Sequence, residues 1–182
     1  SDLVVLLWAG SCFGGTVIVT GQIVDFHGRP VREAEVAVVE NDRDWRIELS
    51  EARVCGPVVR TDDRGQFETK AEVYSTRDMF VVARKPGLAL AWDRAPLDAP
   101  SASRLAFRLV MEKPQTLSGV VVNASGKALA GAVVRAVPKT CYLSTLDQSP
   151  ISQPESWLST RTDAEGRFRF DAFSVDVSCD FW

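Results

Sequence analysis

The side chains with chemistry to offer are few in this chain of 182 residues, and most of them fall short of what that chemistry requires. His27, in the turn "DFHGRP", is the only histidine, so any Ser–His or Cys–His pair would have to be built on it. A lone imidazole beside Gly and Pro reads as a solvated turn residue rather than a general base. Two carboxylates each sit in "TDDRG" (Asp62, Asp63) and "TDAEG" (Asp163, Glu165). Calcium wants about six or more oxygens from one loop, so these turns are too poor in ligands. Cys12, Cys55, Cys141 and Cys179 are widely separated, with no C-x-x-C pair and no H-x-x-E, which argues against zinc. A self-formed Lys–Asn isopeptide bond needs a core-facing lysine on an early strand, and neither "TVIVTGQIVD" nor "TLSGVVVN" carries one. The expectation is a protein that is not an enzyme and holds no metal or cofactor.

The elements that position these residues come in two copies. "VTGQIVDFHGRPVREAEVAVVEND" aligns without a gap on "LSGVVVNASGKALAGAVVRAVPKT", so that Gly21 meets Gly119, Gly28 meets Gly126 and Ala34 meets Ala132. Further along, "RTDDRGQFET" matches "RTDAEGRFRF". Each copy is written in β-branched runs separated by Asp/Asn/Gly turns, and "GRFRF" alternates strictly, with Phe168 and Phe170 on one face. In the T-D-x-x-G turns, Asp62 and Asp163 are expected to accept backbone amides, while Gly65 and Gly166 take a positive φ. No amphipathic helical stretch exceeds two turns. The fold class is therefore all-β, as a β-sandwich. "EKPQT" marks the boundary: residues 1–15 form an apolar extension, 16–114 the first sandwich and 115–182 the second.

The shared order G-x-I/V-V-D/N-x-x-G-R/K, then A-x-V, a loop and R-T-D-x-x-G-x-F resembles the carboxypeptidase regulatory-like domain family. That resemblance covers both copies, from about residue 16 onward. It implies two tandem transthyretin-like or immunoglobulin-like sandwiches of about seven strands. Such modules serve as scaffolds, spacers and binding units of secreted proteins, so it implies a fold more than a function.

Four cysteines allow three pairings, of which Cys12–Cys55 and Cys141–Cys179 keep each bridge within one copy. Bridges would imply an oxidising, extracellular or cell-surface setting. Asn123, in "NASG", is the one N-x-S/T triplet, readable as a glycan site or simply as a turn residue matching Asp25. Both copies carry a long insertion before the T-D-x-x-G turn, each with a tryptophan, Trp45 and Trp157. Such a ring either stacks on a sugar or, more often, pins its loop to the sandwich.

Charge and hydropathy narrow the partners. A net charge of -3 argues against nucleic acid, and no apolar run reaches the roughly 18–20 residues of a membrane span. Two stretches stand out instead. About 45 residues follow Thr69 in copy one, but only about a dozen follow Phe170 in copy two, so the second sandwich reads as lacking a strand or more. Its tail places Phe173, Val175, Val177, Cys179 and Phe181 on one face. At the other end, Leu3, Val4, Val5, Leu6, Leu7 and Trp8 are apolar at both alternating sets of positions, as in a strand buried on both faces. Three readings of that run stay open: a strand donated to a neighbour, a signal or lipid-attachment remnant, and an edge strand of copy one. Asp2 sits where a signal would carry a basic residue. The leading expectation is an extracellular structural protein polymerising head to tail, with residues 3–8 filling a vacancy beside Val175, Val177 and Phe181. A secreted carbohydrate-binding or accessory module of an enzyme is the alternative.

Overall fold

The computed structural model describes residues 15–40, 53–76, 79–96, 103–141, 148–150, 157, 159–174 and 178–181, with residues 53, 137–141, 148–150 and 178–181 described as backbone alone. Copy one contains β1 (Gly15–Asp25), β2 (Glu35–Glu40), β3 (Arg53–Val54), β4 (Val59–Arg60), β5 (Gln66–Val73), β6 (Met79–Arg84), β7 (Ala91–Arg94) and β8 (Arg104–Met111). Copy two contains β9 (Gln115–Val120), β10 (Val133–Cys141), β11 (Gln148–Pro150), β12 (Ser159–Arg161), β13 (Arg167–Phe173) and β14 (Ser178–Phe181). The protein is an all-β sandwich fold, with no α-helix among the described residues.

Copy one is two sheets. In the first, β1 lies between β5, antiparallel, and β8, parallel. Both outer strands alternate cleanly: Phe67, Ala71 and Val73 of β5 and Leu105, Phe107, Leu109 and Met111 of β8 face the core. The second sheet runs β3-β2-β6-β7, with β4 also on β2. Val36 and Val38 of β2 and Met79, Val81 and Ala83 of β6 close the same core from the opposite side.

Those two central strands do not alternate. "EVAVVE" and "MFVVAR" are apolar on both faces, and nearly every residue in them is buried. The reason is a second core on the far side of the sheet. There Ala37, Val39, Phe80, Val82 and Leu90 of copy one join Val134, Ala136, Trp157, Phe170 and Phe173 of copy two in one apolar cluster. The Leu90 amide also donates to Ala172 O at 2.7 Å, tying the start of β7 to the end of β13. The second copy therefore builds on the outer face of the first. Of its apolar side chains, Val134, Ala136, Trp157, Phe170 and Phe173 are covered from within the chain, where the sequence reading left that core for a neighbour to cover.

The repeat holds strand by strand. In copy two β10 takes the place of β2, pairing with β11, β12 and β14 as β2 pairs with β3, β4 and β6. Likewise β9 and β13 pair as β1 and β5 do. Among the described residues copy two has no counterpart of β7 or β8.

Candidate functional site

The repeated motifs turn out to be joinery. Asp25 Oδ1 accepts the amides of His27 and Arg29, both at 2.9 Å. Asn123 Oδ1 does the same for Ser125 at 3.0 Å and Lys127 at 2.9 Å. Asp62 receives Arg64 and Gln66, and Asp163 receives Glu165 and Arg167. The turn glycines Gly28, Gly65, Gly126 and Gly166 all have φ between 70° and 80°, as this turn demands. The preceding threonine staples each sandwich: Thr61 Oγ1 donates to Val31 O at 2.6 Å and accepts Ala34 N at 2.9 Å. Thr162 repeats the pair with Leu129 O and Ala132 N at the same distances. Both threonines are buried. Asp62 and Asp163 thus each spend Oδ1 on two backbone amides.

Two carboxylates are electrostatically set. Burial works against the charge on Asp25, but the amides of Arg29 and His27 and the Arg29 guanidinium outweigh it and hold the carboxyl below its ordinary value. Hydrogen bonds from Arg169, then from Thr116, hold Asp171 low. A carboxyl with a lowered folded-state value stabilises the fold fully above its unfolded value, near pH 4, and loses that contribution as pH falls through the folded value. The thermal midpoint should accordingly drop on acidification below about pH 4. In Asp25→Asn and Asp171→Asn together the drop should shrink, measured by circular dichroism melts between pH 2 and 7. An unchanged acid slope in the double variant would remove these residues as its source.

The other sequence candidates take the following places. His27 is exposed and lies tilted against Phe26, ring centroids 4.3 Å apart. Trp157 is 9% exposed, sits in the second core, and carries the Arg84 guanidinium 5.1 Å above its ring. Arg84 is held in turn by Glu35, with Nη2 2.7 Å from Oε2. The ring is thus buried in the second core with Arg84 over one face. Cys55 is buried, its Sγ 4.0 Å from Glu40 Oε2, and the Glu40 carboxylate also accepts the amides of Tyr74 and Ser75. In the β10–β14 register Cys179 lies opposite Pro138, three residues from Cys141. Three residues of strand are about 10 Å, beyond the ~4.4–6.8 Å between the Cα atoms of a disulfide, so this register does not bring Cys141 and Cys179 together. Asn123 is exposed, with its side-chain oxygen engaged in the turn. Residues 3–8, Cys12, Trp45, Val175 and Val177 lie outside the described residues, and Phe181 is described as backbone alone, in β14 beside β10. No group of three or more His, Cys, Asp or Glu able to hold a metal occurs among the described residues.

What the copies do not share is a strand. In copy one β8 covers one edge of β1 and the apolar residues beneath it. In copy two β9 is paired on one side only, by β13, among the described residues. The consequence is local and large: Val24 is 2% exposed but its counterpart Val122 50%, and Val31 is 7% exposed but its counterpart Leu129 40%. Val120 and Val133 are exposed beside them. This open edge with its apolar margin is the candidate site, and its chemistry is the backbone hydrogen bonding of an unfinished sheet. Its signal in the sequence was the match of Val122 and Leu129 to Val24 and Val31, apolar positions that copy one buries.

No family model and no curated protein matches the chain. Among solved structures it is similar to a streptococcal ancillary pilin at 15% identity and a TM-score of 0.34, over 87% of this chain and 50% of that one. It is also similar to the shaft pilin SpaA of Lactobacillus rhamnosus GG, at 12% identity and a TM-score of 0.36 over 88% and 83% of the two chains. A 3-chlorocatechol 1,2-dioxygenase of Rhodococcus opacus 1CP matches at 11% identity and a TM-score of 0.37, over 55% and 61%. The chain thus spans about half the length of the streptococcal protein. Pilins and an enzyme stand at one level of likeness, and these matches carry no argument about function. No helix among the described residues is long and apolar enough to cross a membrane.

Proposed function

We propose that this chain is an extracellular or cell-surface structural subunit of the carboxypeptidase regulatory-like kind. It polymerises head to tail, residues 3–8 of each copy adding a strand to the second sandwich of a neighbour. The observation that carries the reading is the edge of β9, unpaired among the described residues, near which Val122 and Leu129 are exposed while their counterparts Val24 and Val31 are buried. Main-chain pairing at such an edge supplies affinity and alternate side chains supply register. Burying six large apolar side chains has a gross worth on the order of 10 kcal/mol, from which the ordering of the donor and the loss of free motion subtract. Donor and acceptor are different surfaces, so the contact is heterologous and repeats without closure into a filament. The carbohydrate-binding alternative needs two aromatic platforms, and the burial of Trp157 removes one of them.

The test is the size of the purified full chain by sedimentation and electron microscopy, compared with a chain lacking residues 1–14. The full chain should form filaments. The shortened chain should remain folded and form none. A full-length chain that stays monomeric across the micromolar range refutes the proposal.

A further inference from the structure

Strand direction in β9 can be read from its hydrogen bonds. The Val121 amide donates to Gly166 O on the β13 side at 2.8 Å, so the alternation of a strand aims the amides of Ser118 and Val120 at the open side. Copy one shows the same alternation with the edge occupied: Ile23 N donates to Gly65 O, whereas Ile18 N donates to Ser103 O just before β8. The strand that uses those outward groups on β1 is parallel to it, Ile18 opposite Arg104 through Asp25 opposite Met111.

We propose that residues 3–8 of a second copy are accepted at this edge, running parallel to β9 in the position β8 holds on β1. This rests on the strand-donation reading and gives it a place and a direction. It also moves the acceptor from the strand carrying Phe181 to β9, Val122 and Leu129. Three observations converge on it. The outward amides of Ser118 and Val120 match those that β8 uses in copy one. The donor run and β9 are both six residues long, about 20 Å of strand. Val122 and Leu129 are exposed where their copy-one counterparts Val24 and Val31 are buried, so an added apolar strand meets apolar side chains beside the edge. Residues 9–14, joining the donor to β1, reach at most about 20 Å, which sets the neighbour's β9 close to the donor's own first sheet. The other edge, beside β14, corresponds to that of β6, where β7 pairs antiparallel. Direction therefore separates the two sites.

The experiment uses the full chain. In Ser118→Pro a ring replaces one outward amide, a change tolerated on an edge strand whose N–H faces solvent. Ser118→Ala keeps the amide. Wild type and Ser118→Ala should assemble alike, while Ser118→Pro should melt as they do yet need about 100-fold more protein to assemble. Independently of that variant's folding, p-benzoylphenylalanine placed at Val120, in a mixture of nitrogen-15-labelled and unlabelled chains, should cross-link to residues 3–8 of a different copy. Filaments that survive Ser118→Pro and show no cross-link from position 120 to residues 3–8 overturn the β9 slot and leave strand donation standing. A wild-type chain that stays monomeric overturns both.

Discussion

Phe80→Ala is expected to cost the folded chain about 3–5 kcal/mol, the cost of truncating a buried phenylalanine. Phe80 lies in β6 and points away from the copy-one core, opposite in direction to Val81. In two independent sandwiches that side would face water, and truncation there costs within about 0.5 kcal/mol. In this molecule Phe80 is 2% exposed, packed among Val39, Val82 and Leu90 of its own copy and Val134, Phe170 and Phe173 of the other. The side chain is a member of both copies' stability. Equilibrium unfolding in guanidinium, followed by far-ultraviolet circular dichroism and by tryptophan fluorescence, measures the loss. Trp92 reports on copy one and Trp157 on copy two, and both pack against this second core. The two signals should move together, in wild type and variant, as one transition. A cost below about 0.5 kcal/mol, or two separated transitions, would show that the copies stand alone.

This shared core explains which parts of the molecule were legible in the sequence. Local chemistry was: the Asp and Gly of each turn, the threonine before it, and strands such as "RLAFRLVM" that bury alternate residues follow from short-range rules. Each of these turn residues stands where those rules place it, and duplication in register marks it as structural. "EVAVVE" and "MFVVAR" also carried their message, since strands apolar on both faces must be covered on both. What no local pattern specified was the cover. It comes from Val134, Phe170 and Trp157, at least about 50 residues away in sequence. A core of that kind depends on how two copies dock. Cysteine geometry was hidden for a similar reason, because staying within one copy says nothing of the strand register that sets Cys179 opposite Pro138. The open edge was half legible. The repeat showed which strands to compare, yet which edge stays unpaired among the described residues required the pairing of β9 with β13 alone.

The second large effect is a contrast between Gly21→Ala and Gly119→Ala, the same substitution at the same place in the repeat. Gly21 is held between two phenylalanines, opposite Phe67 on β5 and Phe107 on β8. A methyl group there would stand 2.5 Å from Phe107 O and 2.7 Å from the Phe67 ring, and neither can retreat without opening a sheet. Gly21→Ala should therefore cost about 3 kcal/mol or more, at the upper end for overpacking. At Gly119 the three atoms nearest the methyl all belong to the Phe168 ring, the closest at 2.6 Å, where at Gly21 the nearest is a backbone carbonyl. Phe168 is only partly buried, and a side-chain ring gives way more readily than a strand backbone, so the monomer should lose about 1 kcal/mol or less. Denaturant midpoints of the two variants measure the difference, and equal costs would mean that β9 is as enclosed as β1. Assembly reverses the ranking. Once a strand lies on β9 as β8 lies on β1, its carbonyl occupies the place of Phe107 O and Gly119→Ala acquires the clash it lacked. Gly119→Ala should then be close to silent in the folded monomer and strongly inhibitory in filament formation. Normal filaments from Gly119→Ala would place the added strand somewhere other than β9.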